Sequence, residues 1–568
     1  MPYHSRFAVA VRVGLLPLAL ALGTVLGLGS YAETSDDTTL AWLFAGVLAL
    51  KPVPSVPLYC HGYGHALAAA YLAVPGVPWL GLLLAGLLAG ASVLFFAVLD
   101  KLLRPYLRPG PLALVLMLFF GVAWLEHWLW FSHVRVALLL AGSAVLYAAQ
   151  RPARLGALLL GLAGLGAAWL LRPSLAVLAF GAVLPAAALL AGSLRRAAPL
   201  LLSGALGLAL ATTAASVLQT PAEARTQQRD AYFTRILDFN QLCPQPRTPA
   251  DSLGSAALGL WLMGDSTVVN PALIRRVYRF DSADFFGREV PAKLRLRASL
   301  LVRDYFPLLF ALAATACAAA RRPPRRRWGW LVQAGFAGGF VLLAGVLKLP
   351  PRMELPLLDF WVLTNLIIWL QPISSLSNTG NLEGLALGWS TPLVASWARG
   401  LGIAFGLMII GSYAVKTWHR QRVLGEEQAL HQKALADIKH LGDRRIRILA
   451  GTNDLLKSLS PFRTYSLGSG PVLVLSGWNA HDASQAALRR ALSGTTDQTE
   501  CLRRLAMRSS RGPQFQTLWV LTPETATWLS RRFRFNGPRL LFTPANMPLL
   551  VEKASSVQAY FVQPWPAH

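Results

Sequence analysis

Cysteine and acidic residues are scarce in this chain. Four cysteines in 568 residues exclude a disulfide-built scaffold. Asp and Glu number 27 against 53 Lys and Arg, and only 14% of residues are charged while 54% are hydrophobic. With a mean hydropathy of +0.46, that is too much apolar surface for a soluble core of this size. No A-x-A cleavage pattern follows the first apolar run, so that run reads as a retained anchor rather than a signal peptide. No internal repeat of the kind found in many transporters is visible.

Long apolar runs are what the chain has in abundance. About eleven are readable, at 7 to 29, 77 to 99, 111 to 131, 134 to 149, 154 to 171, 174 to 193, 198 to 217, 303 to 320, 328 to 347, 356 to 371 and 390 to 413, where roughly 20 residues cross a bilayer. The formal charge of +26 is concentrated in short loops between them, as in DKLLRPYLR, QRPARL, SLRR and RRPPRRR. Basic loops of this kind mark the cytoplasmic side, so the excess is topological and nucleic acid is not an expected partner. The expectation is a mainly α, polytopic helical membrane protein with a C-terminal α/β soluble domain. Residues 1–217 form an N-terminal membrane module with a first outer loop at 30–76. Residues 218–302 form an extracytoplasmic segment, 303–413 the C-terminal spans, and 414–568 the soluble domain. An odd span count puts that tail outside, although Lys416, His419, Arg420 and Arg422 after the last span pull the other way. Long translocated domains largely escape that charge rule.

Candidate chemistry gathers on the outer side. The first run ends in SYAETSDDTTL, which fixes Asp36 and Asp37 at the lipid–water boundary. Such a pair can act as a base or a metal ligand, and adjacent carboxylates repel and split their proton affinities; equally, ETSDD could be the solvated cap of a helix starting near Thr38. LAWLFAGVLAL and LYCHGYGHALAAAYLAV, separated by KPVPSVP, read as two short surface helices roofing a cavity. Lys51, Lys348 and Arg352 are the best-placed cations for a phosphate, with Arg276, Arg295 and Arg297 as alternatives; any of them could instead snorkel to lipid headgroups. His61 and His65 share a face if LYCHGYGHALA is helical, and that spacing can ligate a metal, but HGYGH lacks the glutamate of a metalloprotease motif. Glu126 and His127 lie inside an apolar run, where ionisable groups face a cavity or a partner. Cys60 and Cys243 both fall in outer segments and could pair, while Cys317 is intramembrane. In the tail, strand-like stretches at 445 to 451, 472 to 478, 517 to 522 and 539 to 544 alternate with helical ones, with no glycine-rich phosphate loop, Walker signature or nucleophile elbow.

A first span, an acidic pair just beyond it and two short surface helices before the second span resemble the GT-C class of integral-membrane glycosyltransferases. The stretch 31 to 84 also resembles a set of bacterial multi-pass proteins that carry Asn-Asp-Asp after the first span and a proline before an aromatic start to the second. Here those positions read Ser35-Asp36-Asp37 and Pro75-Gly76-Val77-Pro78-Trp79, with serine in place of asparagine, and LPPRMELP (349 to 356) and ILDFNQLCP (236 to 244) look like that set too. The resemblance implies a bacterial inner-membrane transferase that moves a sugar, with inversion, from a polyprenyl phosphate to a glycan, lipid or protein acceptor in the cell envelope. Asp36 or Asp37 would be the base or would hold a divalent Mg or Mn ion, and the remaining candidates, Lys51, His61, His65, Glu126, His127, Lys348 and Arg352, would bind substrate. A transporter or flippase of lipid-linked glycans, or a polysaccharide polymerase or ligase, would present much the same sequence.

Overall fold

A computed structural model describes residues 5–56, 59–321, 326–370, 396–509, 516–536, 540–544 and 557–564. The protein is a helical membrane protein: eight of the described helices are long and apolar enough to cross a bilayer. They are Arg6–Gly27, Trp79–Leu103, Pro109–Leu129, Pro173–Leu190, Leu194–Val217, Ser282–Ala320, Arg327–Val346 and Pro351–Leu370. Two shorter apolar helices, His133–Ala149 and Leu155–Leu171, stand among them. His133–Ala149 is buried along nearly its whole length, so it forms the axis of the bundle, as expected of a helix that is apolar all round. Close approach at this axis depends on missing side chains: a Cβ on Gly142 would fall 2.1 Å from the Phe360 ring.

Several boundaries differ from those the sequence suggested. The helix read as starting at 303 begins at Ser282, because polar residues as well as apolar ones extend it, and it kinks at Tyr305 (φ −127°, ψ 26°) just before Pro307. The apolar run expected to be the last span continues without a break into the head of the tail as one helix, Ser396–Leu441. The tail's sheet therefore begins only after it. Residues 371–395, within which the last span was expected to start, lie outside the described residues.

Two-residue strands tie separate segments together. β1 (Tyr31–Ala32) pairs in parallel with β2 (Trp130–Phe131). β3 (Cys243–Pro244) pairs antiparallel with β4 (Tyr278–Arg279). The C-terminal domain holds a five-stranded mixed sheet of β5 (Arg447–Ala450), β6 (Val472–Val474), β7 (Leu518–Leu521), β8 (Leu540–Pro544) and β9 (Gln558–Pro564), in the order β6-β5-β7-β9-β8. β9, which the sequence reading did not foresee, makes the antiparallel half.

Side-chain alternation along these strands gives the sheet two buried faces. Ile448, Ala450, Trp519 and Leu521 pack against Ala257, Leu262, Leu273 and Ile274 of the segment that follows Val217. Leu449, Leu518 and Val520 pack against Trp42, Leu43 and Leu48 of the first loop. Loop, segment and domain thus stand together at one end of the bundle. The chain between β5 and β6 forms a strap that pairs directly with the loop. Ala32 N–H donates to the Leu459 carbonyl at 2.8 Å, Ser458 N–H to the Ala32 carbonyl at 2.9 Å, and Trp42 Nε1–H to the Tyr465 carbonyl at 2.9 Å.

The strap also sits on the second span, where a Cβ on Gly81 would lie 1.9 Å from the Pro461 carbonyl oxygen. That backbone atom has no rotamer with which to yield. Gly81→Ala is expected to cost about 1–3 kcal/mol by overpacking. Thermal unfolding in detergent should show a lowered midpoint, and limited proteolysis should cut the strap faster than in the wild type.

Candidate functional site

The acidic pair lies within the first turn of the loop helix Ser35–Phe44, a position that suits carboxylates because the helix dipole is positive there. The two residues have different surroundings. Asp37 is buried, and its Oδ1 accepts from the His133 backbone N–H at 3.1 Å and from His133 Nδ1–H at 2.7 Å. It thereby caps the central helix His133–Ala149 from outside, alongside the Ser132 hydroxyl, which accepts from Val134 N–H. Its second oxygen, Oδ2, has no hydrogen-bond partner among the described residues. Asp36 is half-buried and makes no side-chain hydrogen bond among the described residues.

From His133 the network continues outward. Arg172 Nη1 donates to His133 Nε2 at 3.1 Å, and since arginine can only donate, the imidazole is neutral with its proton on Nδ1. The same guanidinium lies 4.7 Å above the Tyr59 ring. Burial pushes the Tyr59 hydroxyl up to about 12; Arg172 pulls it down, Asp36 pushes it up, Arg352 pulls it down and Asp238 pushes it up. The charges of Arg172, Asp36, Arg352 and Asp238 thus all reach one phenol, with Arg172 in direct contact with its ring. Arg172 precedes the helix Pro173–Leu190 and Arg352 sits in the first turn of Pro351–Leu370, so two helix N-termini add positive potential there.

On another side of Asp37 a cleft of about 270 Å³ opens between the loop helix, the start of the second span and the strap. Trp42, Tyr71, Leu80 and Leu84 give it an apolar wall, and Thr38, Ser460, Arg463 and Ser466 a polar one.

The remaining sequence candidates scatter. Lys51 is exposed and has no partner among the described residues. Lys348 is paired with Asp238, which occupies the cation proposed for phosphate; of the alternatives, Arg276 is paired with Asp251 and Arg297 lies 3.7 Å from Glu354. His61 and His65 do not share a helix face. Cys60 (φ 54°) and Gly62 (φ 76°) turn the chain into the left-handed region, so the helix starts only at Tyr63. His61 packs near Trp169, where burial lowers its proton affinity, and His65 is exposed. Cys60 and Cys243 are both free thiols; Cys60 is buried, and Cys243 Sγ–H donates to Asp284.

Glu126 and His127 follow a π-helical turn, Phe120–Trp124, and both are fully enclosed. Glu126 accepts from the Tyr413 hydroxyl at 2.8 Å and pairs with Arg420 at 2.9 Å and Lys416 at 3.4 Å. His127 repeats the pattern of His133: Arg135 Nη1 donates to its Nδ1 at 3.3 Å and its Nε2–H donates to Asp359 at 2.8 Å. Arg135 in turn donates to Glu33 at 2.8 Å. The structure thus divides the candidates between a surface group around Asp36 and a buried group around Glu126 and His127.

His133, Arg172, Glu33, Arg135 and Asp359 were not among the sequence candidates. A signal was present for three of them: His133 and Arg135 open the otherwise apolar FSHVRVALLL, and Asp359 punctuates MELPLLDFW. Compared with protein-family models, curated proteins and solved structures, the chain matches none.

The two aspartates should respond differently to removal. Asp37→Ala strips two charge-assisted hydrogen bonds from a buried helix terminus and is expected to cost about 3 kcal/mol or more. Asp36→Ala breaks none and should stay within about 0.5 kcal/mol in the same chemical unfolding experiment. Burial and, after it, the Asp37 charge push the Cys60 thiol up to about 12. Cys60 should therefore resist iodoacetamide at mildly alkaline pH in the folded protein and react once it is unfolded, as read by mass spectrometry.

Proposed function

We propose that the protein is a membrane glycosyltransferase that moves a sugar from a polyprenyl-phosphate carrier to a glycan, lipid or protein acceptor on the outer side of a bacterial inner membrane. One observation carries the reading: Asp37 is committed to holding the bundle, which leaves Asp36 in the first turn of the loop helix with no side-chain hydrogen bond among the described residues, its charge acting on the same Tyr59 phenol as those of Arg172 and Arg352. On this reading about eleven spans place the first loop, the segment after Val217 and the C-terminal domain outside, and the mutual packing of these three supports a common side.

The chemistry follows from that arrangement. Arg172, held by His133 and Tyr59, and Arg352 bind the carrier phosphate, with the guanidinium forks meeting its oxygens. The acceptor hydroxyl approaches from the cleft beside Asp37, and Asp36 takes its proton. The hydroxyl oxygen attacks the anomeric carbon as the bond from that carbon to the phosphate oxygen breaks. The bonding pair leaves on the polyprenyl phosphate, and the sugar carbon inverts. A divalent Mg or Mn ion would find Asp36 and the free Oδ2 of Asp37, oxygens of the type a hard cation takes alongside phosphate and water. Bound there, it would supply further neutralisation of the leaving phosphate. No group of three His, Cys, Asp or Glu side chains suited to a metal occurs among the described residues.

Transport of a lipid-linked glycan is the second reading, favoured by the ionisable groups enclosed among the helices, since such groups often line ion or proton paths. The two readings separate in one experiment. Purified protein is given a panel of radiolabelled polyprenyl-phosphate sugars and a mixed membrane-glycan acceptor, beside folded Asp36→Asn and Arg172→Gln variants. Asp36→Asn should reduce transfer by about 100-fold or more. Arg172→Gln should mainly raise the donor concentration needed for half-maximal rate. Donor binding without transfer, or transfer indifferent to Asp36→Asn, would overturn the reading; flipping of the carrier across proteoliposomes would then establish transport.

A further inference from the structure

The buried group behind the acidic pair has a charge count that does not close. Its carboxylates are Glu33, Glu126, Asp304, Asp359 and Glu354, and its cations are Arg135, Arg420, Lys416 and Arg297. His127, which accepts from Arg135 and donates to Asp359, is neutral by its pairings. That leaves five acids against four bases; Arg303, which also touches Asp304, is 70% exposed and screened by solvent. An uncompensated charge away from water is costly, and such groups neutralise by taking up a proton.

Hydrogen bonding indicates which acid is left over. Glu33 accepts from Arg135, Glu126 from Tyr413 and Lys416, Asp304 from Arg420, and Asp359 from His127. Each of these bonds favours the ionised form; Asp359 nevertheless keeps one buried oxygen, Oδ1, without a hydrogen-bond partner among the described residues, so what sets Glu354 apart is that both of its oxygens lack one. Glu354 is 1% exposed and neither of its oxygens accepts a hydrogen bond among the described residues. Arg297 approaches it only to 3.7 Å. The other charges that reach Glu354 are Glu33 from the first loop, Asp304 from the kinked helix and Arg135 from the central helix, so two negative groups stand against two positive ones. The neighbouring Pro173–Leu190 helix contains no titratable residue, and Arg327–Val346 has one only at its far end. Nearby, Arg135 Nη2 and the Tyr305 hydroxyl are also buried without a hydrogen-bond partner among the described residues. A cluster with unsatisfied donors as well as acceptors has polar capacity to spare.

We propose that Glu354 is a proton-binding site, occupied at neutral pH, that gives this membrane protein a proton-linked step. A proton suits the site better than a metal ion, because Glu354 supplies only two oxygens and no third acidic or histidine ligand groups with it among the described residues. Arg297, with its side chain 22% exposed, reaches from the carboxyl toward the surface and marks where the proton would exchange. The inference does not depend on the transferase reading, since it rests on charge and hydrogen bonding alone.

Infrared difference spectroscopy on the full chain in lipid nanodiscs tests it. At neutral pH the protein should show a protonated-carboxyl stretch that Glu354→Gln abolishes and Asp359→Asn leaves in place. Arg297→Gln removes the positive neighbour, so the band should persist to higher pH than in the wild type; that shift serves as the readout if Glu354→Gln fails to fold. Absence of the band at neutral pH, its survival in Glu354→Gln, its loss in Asp359→Asn, or its bleaching by sodium at constant pH would each overturn the assignment.

Discussion

The bond between the Asp37 carboxylate and His133 holds the site together. It closes the N-terminus of the most deeply buried helix, and does so with a residue from the loop rather than from the bundle. Because the imidazole gives its only proton to Asp37, its other nitrogen must accept, and Arg172 is the group that donates to it. One carboxylate therefore sets the tautomer of a histidine and, through it, the position of an arginine. The loop helix, the central helix and the turn between Leu171 and Pro173 are fixed relative to one another by polar contacts shielded from water, where such contacts are strongest.

The same motif occurs a second time, deeper. Asp359, His127 and Arg135 repeat the order carboxylate, imidazole, guanidinium, and Glu33 finishes the chain by returning it to the loop. Residues 33 and 37 are one helical turn apart in sequence, and each anchors one of the two chains. Displacing the loop helix would unsettle both at once, which couples the surface group around Asp36 to the enclosed group around Glu126 and Glu354.

Much of the architecture was legible in the sequence because bilayer crossing leaves a coarse signature: length, apolarity and basic loops. The four strand-like tail stretches, which alternate with helical ones, coincide with β5 to β8. The prominence of Asp36 and Asp37 was legible too, but their different surroundings were not, because these depend on His133, nearly a hundred residues later in the chain. The histidine pair at 61 and 65 misled for a local reason: spacing presupposes a helix, and two left-handed residues prevent one from forming before Tyr63. Arg135 and Asp359 were passed over as isolated charges in apolar runs. Only the fold reveals that each is a link between helices.

The strap that covers the loop also has a consequence in time. Thr38 donates to the carbonyl of Leu456, a partner 418 residues further along the chain. At a synthesis rate of about 5–20 residues per second, the loop helix is delivered to the membrane on the order of half a minute or more before the segment that completes it exists. During that interval Trp42 and Leu43 have no sheet to pack against, and the cleft has only one wall. A ribosome that stops short of the sheet-bearing domain would release the apolar helices with an unfinished mouth, so a segment made later decides when one made earlier is complete.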